Sequence, residues 1–149
     1  MSLRFTALGC SCGWVGDFFE MTKYTNLIVK VKVLEKFSEN EDFNTKMRVE
    51  ILTKFKGQES RESIIVTGDD GKECRPYIDY FELDSIYYLS LYNYESEYEQ
   101  SNCGELYLSV VNGKVNGESG IREGLAQVGE MSVEEFEVKL KSTLQTTQR

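Results

Sequence analysis

A chain of 149 residues that is 40% hydrophobic and 28% charged is long enough to bury a core and too apolar to stay disordered. Its net charge of −8, from 25 acidic against 17 basic residues, does not suit phosphate backbones, so no nucleic-acid partner is expected. No run approaches the roughly 18 apolar residues of a membrane span. Histidine is absent altogether. Ser-His and Cys-His catalysis are thereby excluded, along with the commonest metal-binding side chain. No spacing marks out a pair of carboxylates, tyrosines or lysines, so the chain reads as a non-enzyme without a cofactor.

At the start, Ala7 and Gly9 stand at the −3 and −1 positions of a cut before Cys10, a pattern signal peptidase accepts. Met1 to Leu8 lacks the apolar stretch of a whole signal peptide. Residues 1–9 therefore read as a signal-peptide remnant or an added leader, with Cys10 as the mature end of a secreted or periplasmic, extracytoplasmic protein. Gly9-Cys10 also admits a lipoprotein alternative, but lipidation would consume the Cys10 sulfur and leave an odd cysteine.

Asn26 to Phe37 alternates, with Leu27, Val29, Val31 and Val33 on one face and Lys30 and Lys32 on the other; this is the signature of a half-buried strand. Ser38 to Asn44 is a polar, acidic loop. Thr45 to Lys56 alternates again, with Met47, Val49, Ile51 and Phe55 facing in, and Gly57 ends it. Ser63 to Thr67 predicts a third strand, Ser85 to Tyr92 a fourth and Glu105 to Val111 a fifth. Asn112-Gly113 and Asn116-Gly117 are turn signals. Gly113 to Glu130 reads as loop. Ser132 and Glu135 then form a capping box, flanked by Met131 and Phe136 as a hydrophobic staple. Val133, Phe136, Leu140 and Leu144 share one helical face, and Gln145 to Arg149 should fray. The expected fold is mainly β: a five-stranded antiparallel barrel with a C-terminal helix packed on it.

The four cysteines stand at 10, 12, 74 and 103. A bridge across one intervening residue is strained, which leaves 10–74 with 12–103, or 10–103 with 12–74. Each bridge would close a long loop, worth roughly 4 kcal/mol in the chain-entropy account. The competing reading is a zinc site of four thiolates, but Cys-x-Cys followed by two isolated cysteines lacks paired Cys-x-x-Cys knuckles.

Taken in order, several short segments resemble the netrin-like domain, in particular the N-terminal domain of the tissue inhibitors of metalloproteinases. CSCGW at 10–14 is similar to that family's mature Cys-x-Cys start. Phe18-Phe19 is similar to its Ala-Phe segment, Asn26 to Val33 to its first strand, and Phe55-Lys56-Gly57 to the close of its second. Cys74 and Cys103 fall near the family separations. The likeness spans Cys10 to about Val111. It implies an OB-fold barrel over 10–111, with 112–149 as a loop plus helix, and it favours the disulfides Cys10–Cys74 and Cys12–Cys103. The family's third N-domain disulfide and its six-cysteine C-terminal subdomain have no counterpart here.

The resemblance also implies a site. The α-amine and carbonyl of an N-terminal Cys10 would chelate a partner's catalytic zinc, although the chain itself holds no metal. Ser11 would enter the adjacent specificity pocket and Cys12 would anchor the segment. With Gly13, Trp14 and the loop Gly71-Lys72-Glu73, these residues would form a protein-binding ridge. The expected protein is a monomer whose partner is a protein, with a zinc metalloproteinase implied. The alternative is a non-inhibitory structural or tethering module of the cell envelope. Trp14 reads either as an exposed anchor or as a lid over the barrel end. Tyr92, Tyr94 and Tyr98 read as a solvated hairpin tip, and GDDGKE at 68–73 as a turn rather than a calcium loop. Lys30, Lys32, Lys46 and Lys54 could gather into a basic stripe for an acidic partner.

Overall fold

The computed structural model describes residues 12–38, 43–117 and 125–147. Residues 1–9, expected to be a leader, Cys10, Ser11, residues 39–42 of the acidic loop, residues 118–124 and the last two residues lie outside these.

Asp17 opens a short helix, α1 (Phe18–Met21), by accepting the Glu20 amide at 2.9 Å, which satisfies a helix-end donor. Two 11-residue strands follow, β1 (Leu27–Phe37) and β2 (Lys46–Lys56). They pair antiparallel, with register shifts at Ile28/Val29, Lys30/Val31 and Val33/Glu35. Such irregularities add twist and curvature. On its other edge β1 pairs through Leu27 to Lys32 with β4 (Ile86–Tyr94), so Ile28 to Lys32 has a partner on both sides. β2 also pairs with β3 (Ser63–Thr67). Gly57 ends β2 at φ +105°, where any Cβ would collide with the Asn26 carbonyl.

The ring closes through β5 (Glu97–Glu99), which pairs antiparallel with β4 and parallel with β3. The barrel is therefore five-stranded but mixed. An odd ring cannot alternate strand direction all the way round, so one pair had to be parallel. The chain between β3 and β4 carries a single 3₁₀ turn, Ile78–Tyr80. It buries Ile78 and Phe81, and the Phe81 ring meets Tyr87 edge-on and Tyr107 at a tilt, with centroids 5.0 and 4.8 Å away.

Beyond β4 the sheet continues through β6 (Tyr107–Val111), β7 (Lys114–Asn116) and β8 (Glu130–Ser132). The β6–β7 turn is Asn112-Gly113, at φ 53° and 74°, the left-handed pair of a tight hairpin. Asn116-Gly117 is not a hairpin turn: Asn116 ends β7, and the Gly117 amide reaches the Gly129 carbonyl at 3.3 Å. The expected loop Gly113 to Glu130 thus holds β7 and the first residue of β8.

Two cores follow from the alternation. Inside the barrel, Val29, Val31, Val33, Met47, Val49 and Leu89 are fully buried. Tyr98 belongs to this core at 5% exposure, its hydroxyl donating to Glu59 at 2.7 Å, so that tyrosine is not at a solvated tip. Outside the barrel wall, Ile28, Tyr88 and Leu108 are covered by α1 and by α2 (Val133–Thr147). Ser132 caps α2, accepting the Glu135 amide at 3.1 Å, and Phe136, Leu140 and Leu144 are buried. Phe136 meets Phe18, Phe19 and Tyr88 with ring centroids 5.6, 5.3 and 4.5 Å apart.

Among the described residues no helix is long and apolar enough to cross a membrane. Truncating Phe136 should show what the outer core contributes. Phe136→Ala is expected to cost about 3–5 kcal/mol in urea denaturation, a large-to-small change in a closed core. Val138→Ala, on the exposed face of α2, should stay within about 0.5 kcal/mol. Equal effects would mean that the helix is not docked as described.

Candidate protein-binding ridge

One end of the barrel gathers the chain's N-terminal segment, the loop between β3 and β4, and the segment before β6. Three main-chain hydrogen bonds lace them. The Val15 amide donates to the Cys103 carbonyl at 2.7 Å, the Glu105 amide to Gly16 at 3.0 Å and the Asn102 amide to Cys74 at 3.1 Å. A disulfide joins Cys12 to Cys103, with Cα atoms 5.7 Å apart and 91 positions between them in sequence. Cys74 is also disulfide-bonded. The sulfurs of Cys12, Cys74 and Cys103 lie within 4.8 Å of one another.

The GDDGKE segment is a pair of side-chain-stabilised turns. Asp69 accepts the Gly71 amide at 2.9 Å, and Asp70 accepts the amides of Lys72 and Glu73 at 2.9 and 3.2 Å. Its carboxylates thus serve the local backbone. Among the described residues, the only group of three or more Cys, Asp or Glu side chains close enough to share an ion is the cysteine trio.

Of the expected ridge, Cys12 and Gly13 are exposed, as are Gly71, Lys72 and Glu73 on the loop leading into Cys74. Cys10 and Ser11 lie outside the described residues. Trp14 is half-buried, its indole N–H donating to the Ala126 carbonyl at 2.9 Å, and Val15 beside it is 48% exposed. Trp14 therefore ties the N-terminal segment to the chain before β8 rather than standing free. Between the loop and the Cys103 segment runs a groove of about 480 Å³, lined in part by Lys72, Glu73, Arg75, Tyr92 and Glu99.

Two buried ionisable side chains organise this end, and neither is marked in the sequence by a motif. Arg75, 7% exposed, donates through Nε and an η nitrogen to one Glu99 oxygen at 2.9 and 2.6 Å. Its guanidinium also lies 4.9 Å from the Tyr94 ring centroid. Glu105, 5% exposed, accepts the Phe18 amide at 3.0 Å and the Val128 amide at 2.8 Å, both on Oε1. Its Oε2 is buried without a hydrogen-bond partner among the described residues. Burial lifts the Glu105 carboxyl to about 7, against the pull of the Val128 and Phe18 amides.

Three of the four lysines expected to form a basic stripe are engaged within the fold. Lys30 lies 3.7 Å from Glu137 under α2, Lys46 pairs with Glu97 at 2.9 Å, and Lys54 donates to the Glu59 carbonyl at 2.8 Å. No protein-family model, curated protein or solved structure matches this chain.

Glu105 gives the fold a pH dependence of definite sign. Its carboxyl is easier to protonate folded than unfolded, so its stabilising effect is complete below the ordinary carboxylate range. The effect is lost as pH rises through about 7. Urea denaturation across pH 5 to 8 should show a fall of about 2.5 kcal/mol in the native chain that Glu105→Gln removes. Parallel pH profiles for the two proteins would refute the assignment.

Proposed function

We propose that this chain is a disulfide-stapled protein-binding module of the secreted, netrin-like kind. Its binding surface would be the ridge formed by the N-terminal segment and the Gly71-Lys72-Glu73 loop. The observation that carries this reading is the convergence of Cys12, Cys74 and Cys103 at one end of a closed barrel. It places two exposed stretches, remote in sequence, beside each other on a rigid support. A preordered ridge loses little conformational entropy on binding. The groove alongside adds a concave surface of mixed charge.

In the inhibitor version of this reading, the partner is a zinc metalloproteinase. The α-amine and carbonyl of an N-terminal Cys10 would take two positions on the partner's zinc and displace the attacking water. Ser11 would enter the neighbouring pocket. An α-amine has a reference pKa of about 8, so zinc can displace its proton near neutral pH. An amide nitrogen in a chain retaining residues 1–9 is a poor ligand.

The second reading is a non-inhibitory tethering or structural module. The hydrogen bond from Trp14 to Ala126 favours it, because the one large aromatic of the ridge is then engaged within the fold.

Two forms of the chain distinguish the readings, one beginning at Cys10 and one retaining residues 1–9. Both are titrated against a panel of zinc endopeptidases. The inhibitor reading expects stoichiometric inhibition by the form beginning at Cys10, weakened by roughly 100-fold or more, about 3 kcal/mol, in the extended form. Inhibition by neither form would leave the non-inhibitory module, and equal inhibition by both would rule out chelation through the Cys10 α-amine.

A further inference from the structure

The three sulfurs at the barrel end are close for a reason that outlasts their oxidation. Disulfide bonds bring Cys12 to Cys103 and occupy Cys74. The main chain holds the same segments together without sulfur, through Val15 to Cys103, Glu105 to Gly16 and Asn102 to Cys74. Asp69 and Asp70 fix the loop that delivers Cys74 by accepting three of its amides. Breaking the S–S bonds therefore leaves three thiols on anchored backbone, within reach of a common point.

We infer that the reduced chain carries a binding site for a thiophilic divalent cation of the Zn²⁺ class, with Cys12, Cys74 and Cys103 as its protein ligands. Tetrahedral zinc at its usual sulfur distance of roughly 2.3 Å needs ligand sulfurs about 3.8 Å apart. The sulfurs here are all within 4.8 Å of one another; once their bond is broken, those of Cys12 and Cys103 must move apart by roughly 1.8 Å to reach that spacing, a rotation of the two side chains. Cys12 is exposed and the other two are half-buried, which gives the cation a way in and leaves a coordination position for water.

The chemistry balances. Each disulfide accepts two electrons and two protons from one dithiol, which leaves as its own disulfide. Binding then replaces the three thiol protons of Cys12, Cys74 and Cys103 with one cation, and those protons pass to solvent. Disulfide and metal are mutually exclusive states of the same atoms, so the redox poise of the compartment decides which is present. This inference does not depend on any protease partner.

The test uses the full chain, reduced under anaerobic conditions, freed of reductant and titrated with Co²⁺ as a spectroscopic stand-in for Zn²⁺. The expected result is one equivalent of tetrahedral cobalt with thiolate charge-transfer absorption, bleached by added Zn²⁺ and absent from the oxidised chain. Cys10→Ser should keep the absorption, since it leaves the three ligands in place. Cys74→Ser and Cys103→Ser should each weaken binding by about 100-fold or more. Concentrated urea should abolish binding, because the fold assembles the ligands. No charge-transfer absorption, absorption lost in Cys10→Ser, equal binding in Cys74→Ser or Cys103→Ser, or equal binding in urea would each overturn the proposal.

Discussion

Ile28 to Lys32 pairs along both of its edges, with β2 on one side and β4 on the other. Everything else follows from that. Because β1 is shared, the sheet must curl until β3 meets β5, and its inward side becomes a closed interior where Val29, Val31 and Val33 lose all contact with water. The irregular register between β1 and β2 supplies the bend. With five strands, the closure demands one parallel pair, and β5 supplies it after the sharp reversal at Glu95, where φ is 57°. The same closure puts the ends of β3, β5 and β6 near one another, so cysteines far apart in sequence arrive at one rim.

The outward side of β1 and β4 is not a water-facing surface, and this changes what its polar residues do. Tyr88 is fully buried beneath α2, and its hydroxyl donates to Glu137 at 2.5 Å. Burial first, and then the Glu137 carboxylate, hold that hydroxyl well above its ordinary range. Lys30 approaches the same carboxylate at 3.7 Å and lies 5.6 Å from the Tyr88 ring centroid. A lysine that reads as solvated in an alternating strand is therefore the cation of a roofed polar cluster. Such clusters favour one docking position of a helix over its neighbours, because any shift leaves a polar group unpaired.

How much of this could be read from the chain alone depended on whether the deciding force was local. The β1 and β2 alternation, Ser63 to Thr67, the Asn112-Gly113 turn and the Ser132 cap were legible, since each is a near-neighbour pattern. The strands β5, β7 and β8 were not. Three residues carry no periodicity, and each exists because a longer strand offers it an edge. Tyr98 among glutamates looks solvated until β5 turns it into the barrel. At the candidate site, the sequence pointed to the cysteines and to a turn at 68–73. It carried no sign of Glu105, whose burial depends on Phe18 and Val128, 87 and 23 positions away. Nor did it show that Trp14 would be tied to the segment before β8.

β8 runs into α2 without a connecting loop, Ser132 being at once the last strand residue and the helix cap. Among the described residues β8 is also the outer margin of the extended sheet. A foreign strand seeking to zip onto β7 would have to peel β8 away. Peeling β8 pulls on the cap of α2 and drags Phe136 out of its aromatic nest. The pairing of β8 with β7 is thus latched to the outer core: displacing β8 must open that core, whereas a strand adding to the outer edge of β8 need not.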